Sequence, residues 1–173
     1  MIRLTEPCEP YLASYTEAFD EYETFPRRAG NPFCAPRACD LLARFERNRK
    51  AIDLPEGYVG SSSYWLVDDE HQRFLGEIDI RHQLTERLLR YGGHIGYSVR
   101  LGEWNKGYGT LMLERALPHA KALGITRCLI TCDDDNPGSA RVMEKNGFVL
   151  ADKVHNVIDG QPVITRRYWK NLD

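Results

Sequence analysis

The clearest alternation of apolar and polar positions lies near the middle of the chain and leads into a loop with two glycines. Ile95, Tyr97 and Val99 alternate with polar neighbours, which predicts a strand over His94–Arg100. After the loop, apolar residues recur at i, i+3, i+4 and i+7 and predict a helix that contains Pro118, where it should kink. The buried stripe of that helix would be Leu113, Ala116, Leu117 and Ala120.

Patterns of the same two kinds predict further strands and helices on either side of this unit. Aromatic residues at helical spacing between Tyr11 and Phe25 are more often core than the wall of a substrate site. The proline- and glycine-rich stretch Pro26–Arg37 predicts a loop. The other helices are predicted at Ala38–Lys50, in the short turn Leu84–Gly93 and after Asn136, and the other strands at Met1–Thr5, Ser63–Val67, Phe74–His82, Thr126–Asp133, Phe148–His155 and Val163–Trp169.

Two acids and an arginine share one face of the strand predicted at Phe74–His82. Successive side chains of a strand point to opposite faces. A charged face of this kind is usually exposed to solvent or paired within itself, and the alternative is that it lines a cleft. The predicted charged face is Leu75, Glu77, Asp79 and Arg81, and the apolar face is Gly76, Ile78 and Ile80.

The loop before the central helix has the features of an anion site. Asn105–Thr110 lies at a predicted helix N-terminus, where backbone N–H groups lack intrahelical partners and the helix dipole is positive. Gly107 and Gly109 would let a phosphate approach the backbone closely, and Lys106 adds a charge. A dinucleotide-binding loop would need a third glycine where Met112 stands, and a Walker loop would need Gly-Lys-Ser/Thr. The loop alone fits a pyrophosphate site and also a tight turn with a helix cap.

A second motif, NPGSARVMEKNGF, follows the next predicted strand and favours the first of these interpretations. Together with the loop it resembles the GNAT superfamily of acetyl-CoA-dependent N-acetyltransferases. The family's pyrophosphate loop, Gln/Arg-x-x-Gly-x-Gly/Ala, is similar to residues 104–109, with Trp104 in the first place. The resemblance covers residues 92–148. The family's later signature is matched by Asn136, Ser139, Glu144, Lys145, Gly147 and Phe148.

The resemblance implies a fold and a cosubstrate. The fold would be α/β, of the mixed α+β kind: a strongly twisted mixed sheet of about six to seven strands, helices on both faces, and one domain over residues 1–173. The central strands, His94–Arg100 and Thr126–Asp133, would splay apart, and acetyl-CoA would lie in the gap between them. The implied cofactor-binding residues are Tyr97, Ser98, Val99, Asn105, Lys106, Gly107, Tyr108, Gly109, Thr110, Asn136 and Ser139.

The implied reaction is direct attack of an amine on the thioester, which calls for a base and an oxyanion donor. Glu77, on the neighbouring strand, and His94, at the start of the central strand, are equal candidates for the base. The family's usual oxyanion donor corresponds to the backbone N–H of Val99. The tyrosine that many members use as the acid is replaced by Met143, but a thiol of pKa ~8.5 leaves almost unaided.

Composition and charge narrow the choice of partners and compartment. The chain has 173 residues, 42% of them hydrophobic, and its net charge of −2 offers no basic field for nucleic acid or an anionic membrane. No apolar run reaches the ~20 residues of a transmembrane helix and the start MIRLTEP is not a secretory signal, so we expect a cytoplasmic protein. The five cysteines are expected to be thiols. Cys128 and Cys132 would lie ~13 Å apart on a strand, so no metal site is expected.

Functions from different classes remain open at this point. The first is an N-acetyltransferase that moves acetyl from acetyl-CoA to a primary amine of a small molecule or a protein. Many family members are dimers, which makes a homodimer a further expectation. The second is a catalytically silent CoA-binding domain that acts as a sensor or assembly module, which Met143 and the choice between two bases favour slightly. The third, an unrelated nucleotide-binding domain, lacks the third glycine.

Overall fold

A seven-stranded mixed sheet with five helices forms the part of the chain described by the computed structural model, residues 1–25, 30–37 and 40–172. The helices are α1 (Leu12–Glu23), α2 (Leu41–Lys50), α3 (Glu86–Arg90), α4 (Tyr108–Ala122) and α5 (Pro137–Lys145), with short 3-10 turns at Glu9–Tyr11 and Leu101–Glu103. The strands are β1 (Ile2–Thr5), β2 (Ser61–Asp68), β3 (Arg73–Arg81), β4 (Ile95–Val99), β5 (Arg127–Asp133), β6 (Val149–Ile158) and β7 (Gln161–Asn171). Their order is β1-β2-β3-β4-β5-β7-β6, in which β4 and β5 are parallel and the other neighbours antiparallel.

The two faces of the sheet carry different cores, and helices cover both, as predicted. On one face α4 and α5 pack on aliphatic side chains, and Met112 and Leu113 are fully buried. On the other face α1 and α2 cover an aromatic cluster in which the rings of Tyr15 and Trp65 stack at 4.8 Å between centroids. The aromatic stripe of the first helix is therefore core, with Tyr11, Tyr15 and Tyr22 buried and Phe19 partly buried.

The two central strands meet at a single point. The parallel ladder of β4 and β5 pairs Ile95 with Ile130, and Gly93 makes an isolated bridge to the same residue. Beyond Ile95 no further register pair joins the two strands within the described residues, so the sheet opens toward their C-terminal ends. This opening is the splay that the resemblance implies, and it positions the site.

The predicted charged face of β3 needs one correction, at Leu75. The register shifts so that Phe74 lies opposite Val67 while Gly76 lies opposite Leu66, which leaves Leu75 as an extra residue in a β-bulge. Leu75 is buried in the aliphatic core under α4 and does not share the face of Glu77. The strict alternation assumed from the sequence fails because a bulge shifts the register by one residue.

Several element ends also differ from the predictions. The last two strands are longer than predicted because a two-residue turn at Asp159 and Gly160, both with positive φ, lets them pair up to Ile158 and Gln161. The helix predicted from Ala38 begins at Leu41 after the cap Asp40, and residues 38 and 39 lie outside the described part. Of the loop predicted at Pro26–Arg37, the structure describes residues 30–37.

Three further observations concern the cysteines, Pro118 and the length of the helices. The cysteines that the structure describes, at positions 8, 34, 128 and 132, are free thiols. The helix α4 continues through Pro118 to Ala122. In the described ranges, no helix is both long enough and apolar enough to cross a bilayer.

Candidate active site

The strand β4 directs alternate backbone groups toward the gap beside it. The N–H of Arg100 donates to the Leu75 carbonyl on β3 at 2.8 Å, and the register of the two strands continues from there. Hydrogen-bonding direction alternates along an antiparallel strand, so the backbone groups of Tyr97 and Val99 point away from β3. They therefore line the edge of the gap between β4 and β5, where a ligand could pair with them.

A cavity of about 460 Å³ opens between β4, the loop after it and the first turns of α4 and α5. Its wall includes every predicted cofactor-binding residue except Lys106. The structure thus brings the two sequence motifs together at one place, while the binding role of each residue remains a prediction. The wall also contains residues that were not predicted to bind there: Tyr22, Glu103, Trp104, Gly138, Arg141, Val142 and Lys145.

The two glycines of the loop have different structural roles. Gly107 caps α4 with φ at +84°, and a Cβ on it would meet nothing within 4 Å. Gly109 lies in the first turn, where a Cβ would come within 3.2 Å of Val142 Cγ2 on α5. Gly109 therefore lets the two helices pack closely, while Gly107 leaves the backbone open. The free N–H groups of the first turn and the helix dipole make this opening suitable for an anion.

The first turn of α5 forms the opposite wall of the cavity. The Ser139 N–H donates to Asn136 Oδ1 at 3.0 Å, so Asn136 caps the helix with its oxygen and keeps its amide NH2 group to donate. The Tyr97 hydroxyl lies 2.8 Å from Ser139 Oγ and connects β4 to α5. Burial raises the pKa of Tyr97, so this hydroxyl stays protonated.

Glu77 lies on the other face of the sheet, one strand away from the gap. In the sheet register it stands between Trp65 on β2 and Ser98 on β4. The Trp65 indole Nε1 donates to Glu77 Oε2 at 2.8 Å. Burial, with a smaller contribution from the charge of Asp79, raises the pKa of Glu77 to about 8. Glu77 is thus a partly buried carboxyl that holds a proton at neutral pH and gives it up in mildly alkaline solution.

His94, the other candidate base, is buried at the point where β4 meets β5. The Leu129 N–H donates to His94 Nδ1 at 3.0 Å, and the His94 N–H donates to the Leu129 carbonyl at 2.8 Å. In the neutral ring the proton therefore sits on Nε2, and the lone pair of Nδ1 is already used. Burial and the nearby charge of Arg81 lower the pKa of His94. This geometry suits a histidine that ties the strands together better than a base.

Comparison with known protein families decides the identity of this fold. The family described as "Acetyltransferase (GNAT) domain" matches residues 11–149, which is most of the chain and includes both motifs. The chain belongs to the GNAT acetyltransferase family. This GNAT protein is accordingly an acetyltransferase, and acetyl-CoA is its cosubstrate. No curated protein matches its sequence.

Solved structures of other acetyltransferases share the fold of this GNAT protein at low sequence identity. A putative acetyltransferase from Salmonella typhimurium, solved with its cofactor acetyl-CoA, is 15% identical with a TM-score of 0.67, and the match covers 99% of this chain and 94% of that one. A putative ribosomal-protein-serine acetyltransferase from Vibrio cholerae is 15% identical with a TM-score of 0.69 over 98% and 93% of the two chains. A chimera of the Vibrio cholerae spermidine N-acetyltransferase is 14% identical with a TM-score of 0.64 over 99% and 96%.

The positive charge at the cavity of this GNAT protein comes from α5 more than from the loop. Lys106 Nζ is paired with Glu103 Oε2 at 2.9 Å and does not line the cavity. Arg141 and Lys145, four residues apart and so on one side of α5, do line it. Their spacing of four residues, which places two cations on one side of a helix, was the signal in the sequence that could have identified them.

The two departures from the family pattern have different consequences in this GNAT protein. Met143, at the position of the usual tyrosine, is fully buried in the aliphatic core and cannot reach a ligand. Trp104 lines the cavity, and its indole Nε1 donates to the Val99 carbonyl at 3.0 Å. The Tyr22 hydroxyl donates to the same carbonyl at 2.6 Å. Trp104 therefore replaces the family's glutamine or arginine with a group that fixes the end of β4.

Proposed function

We propose that this protein is an N-acetyltransferase that moves acetyl from acetyl-CoA to a primary amine by direct attack in a ternary complex. One observation carries the proposal. The gap between β4 and β5 has a cavity suited to an anion on one face and the carboxyl of Glu77, with a pKa of about 8, on the other. A thioester in the gap would therefore lie between a site for its phosphates and a site for the amine.

The cofactor side follows from the groups at the cavity wall. The N–H groups around Gly107–Thr110 would bind the pyrophosphate, and Arg141 and Lys145 would add attraction for the phosphates. The outward-facing backbone of Tyr97 would pair with the pantetheine amides in the manner of an added strand. The Val99 carbonyl already accepts two hydrogen bonds, so the Tyr97 N–H and carbonyl are left for this role and the Val99 N–H is left for the thioester oxygen. Acetyl-CoA supplies the activated acetyl thioester.

The amine must lose a proton before or during its attack on the thioester carbon. Presenting an amine of pKa ~10.4 in neutral form at pH 7 costs ~4.6 kcal/mol, so a proton acceptor is valuable. In this proposal ionised Glu77 takes the proton through the hydroxyl of Ser98 or a water, because Ser98 stands beside Glu77 on the same face of the sheet. His94 is the weaker candidate because Leu129 uses its Nδ1 lone pair.

The remaining steps need only modest help from the protein. As the nitrogen–carbon bond forms, the oxyanion would accept a hydrogen bond from the Val99 N–H, which faces the gap. The carbon–sulfur bond then breaks and the CoA thiolate leaves. Because a thiol of pKa ~8.5 needs no strong acid, the buried Met143 does not prevent the reaction.

The acceptor is a primary amine of a small molecule or of a protein. Solved structures of this fold include proteins described as acetylating spermidine and, putatively, a serine of a ribosomal protein. The partly buried Glu77 in its ionised form, together with the neighbouring Asp79, favours an ammonium group over a hydroxyl. Amines are therefore the first acceptors to test.

A catalytically silent CoA-binding domain is the second candidate, favoured by the loss of the tyrosine at Met143. Two measurements on the same sample separate the candidates. Thermal unfolding with acetyl-CoA at ~100 times its dissociation constant should raise the midpoint by several degrees, since binding adds ~2.7 kcal/mol. Release of free CoA thiol should then increase when primary amines are added. A thermal shift without amine-stimulated release would identify the silent domain.

A further inference from the structure

The side chain of Arg81 crosses from β3 to β4 on the face of the sheet that carries Glu77. The guanidinium of Arg81 reaches from β3 over β4, and its Nη1 donates to the carbonyls of Gly92 and Gly93 at 3.0 and 3.1 Å. Gly96 makes room for it, since a Cβ at that position would lie 3.4 Å from Arg81 Nη2. The guanidinium thus lies across β4 near the point where the gap begins.

Arg87, on α3, adds a second guanidinium at the same place. Its central carbon lies 5.9 Å from the ring centre of Tyr58 and 5.8 Å from that of Tyr91, which are cation–π distances. Burial and the charge of Arg87 lower the pKa of Arg81, while Asp79 opposes this effect. We name Arg81, Arg87 and the two tyrosine rings the arginine corner.

The positive charge of the arginine corner is only partly neutralised within the described chain. Over residues 1–25, 30–37 and 40–172, neither Arg81 nor Arg87 forms an ion pair with a carboxylate. Asp79 is within electrostatic range of Arg81 and offsets part of its charge, while its Oδ1 accepts a hydrogen bond from the Ser63 hydroxyl at 2.8 Å. His94 faces the same region and carries no compensating charge. Two guanidinium groups with one carboxyl group in electrostatic range leave a surplus of positive charge, which favours the binding of an anion.

The arginine corner lies at a useful distance from the site where the amine would react. Arg81 follows Glu77 by four residues on the same face of β3, so their Cα atoms are ~13 Å apart at ~3.3 Å per residue. Both side chains belong to the face of the sheet that the proposal assigns to the acceptor, where they would meet the two ends of one small molecule. A flexible chain of several carbons between an amine and an acid could bridge them.

We propose that the arginine corner binds an acidic group on the acceptor, so that the acceptor is a primary amine that also carries a remote carboxylate. This inference rests on the proposed function and names the substrate class of the same site. Arginine suits the task because its planar guanidinium pairs with both oxygens of a carboxylate. The hydrogen bonds of Nη1 to two carbonyls hold the guanidinium in place, while Nη2 lies above Gly96.

Matched pairs of amines test this assignment. The intact protein is assayed with acetyl-CoA and a series of ω-amino acids of four to eight carbons, each compared with the alkylamine of the same length and with spermidine. We expect kcat/KM for the best ω-amino acid to exceed that of its alkylamine by roughly 10- to 100-fold, the range for a hydrogen-bonded charge pair. The preference should reside in KM, because the acid group lies away from the reacting atoms.

Two variants and a control separate recognition from structure. Arg87→Met should remove much of the preference by raising KM for the ω-amino acid, with the alkylamine unchanged within about two-fold. Arg81→Met should do the same more strongly, and Arg81→Lys should retain part of the preference. Among the described residues Arg87 donates to no backbone carbonyl, so its variant stays informative if Arg81→Met fails to fold. The control is Arg90→Met on the same helix, because Arg90 is bonded to Asn156 and His155 on β6.

The outcomes of these experiments test this inference separately from the proposed function on which it rests. Equal use of ω-amino acids and alkylamines, preference for spermidine, or a parallel loss with both substrates in Arg87→Met would overturn the arginine corner as an acceptor site. The N-acetyltransferase would stand in each of those cases. Acetyl-CoA binding without acetylation of any amine would instead remove the proposed function, and the inference with it.

Discussion

Trp65 donates its indole hydrogen to Glu77 while its ring is fully buried among the aromatic side chains under α1 and α2. The contact holds the carboxyl group in place at the edge of the aromatic core. It also connects the packing of that core to the chemistry at the gap, because the same burial raises the pKa of Glu77 to about 8. Two predictions follow from this one contact.

The first prediction concerns the pH dependence of the reaction. A base acts only when ionised, so kcat/KM for an amine should fall as the pH drops through about 8, in addition to the slope from the amine itself. Glu77→Gln should lower kcat by roughly 10²- to 10⁴-fold and remove that step from the profile. Glu70→Gln, at an exposed turn, is the control. An unchanged profile in Glu77→Gln would reject Glu77 as the base.

The second prediction concerns stability. Between the unfolded pKa of ~4.3 and the folded pKa of about 8, the folded state binds the proton of Glu77 more tightly, so its stability should fall as the pH rises through this window. Glu77→Gln cannot ionise and still accepts the hydrogen bond from Trp65. Its unfolding midpoint relative to the wild type should therefore rise between pH 6 and pH 9 by a few degrees, measured by thermal unfolding. A constant difference across this range would show that the carboxyl is not buried as described.

The third prediction tests the cradle at the start of α4. Gly107→Asp places a carboxylate where the phosphates would bind and strains a residue with φ at +84°, so acetyl-CoA binding measured by calorimetry should be lost. Gly160→Asp is a matched control, because Gly160 has φ at +75° and equally open space but lies in the turn between β6 and β7. If acetyl-CoA still binds to the Gly107→Asp variant, the cofactor site lies elsewhere.

The fourth prediction ranks the cations around the cavity. Arg141→Ala and Lys145→Ala should each weaken acetyl-CoA binding by roughly 3- to 30-fold, and the loss should shrink in high salt. Lys106→Ala should weaken it less, since Lys106 is paired with Glu103. Titrations of the three variants at low and high salt provide the measurement. A larger loss in Lys106→Ala would restore the loop lysine to the role predicted from the sequence.

Much of the fold could be predicted from the sequence because its signals are local. The alternation around Ile95 and the caps at Gly107 and Asn136 depend on a few neighbouring residues, and each element begins within a few residues of its predicted place. The placement of β7 between β5 and β6, and the bulge at Leu75, depend on pairing with distant strands. Alternation alone carries no information about such pairing.

The residues of the candidate site could be predicted from the sequence where they belong to a motif, and less well where their role depends on tertiary contacts. The predicted loop and helix residues gather at one cavity, except Lys106, whose charge is taken by Glu103 three residues earlier. His94 and Glu77 are equal candidates in the sequence. Choosing between them requires two hydrogen bonds, from Leu129 to His94 and from Trp65 to Glu77. Each of these bonds joins residues that are distant along the chain.

The most direct test of the central claim follows the acetyl group itself. The protein is mixed with acetyl-CoA labelled in the acetyl carbons and with a panel of primary amines at pH 8.5, and the products are analysed by mass spectrometry. The account predicts the label on the amine nitrogen, one free CoA for each acetylated amine, and no labelled protein intermediate. Acetyl-CoA that binds but keeps its label with every amine would contradict it and identify a CoA-binding domain without turnover.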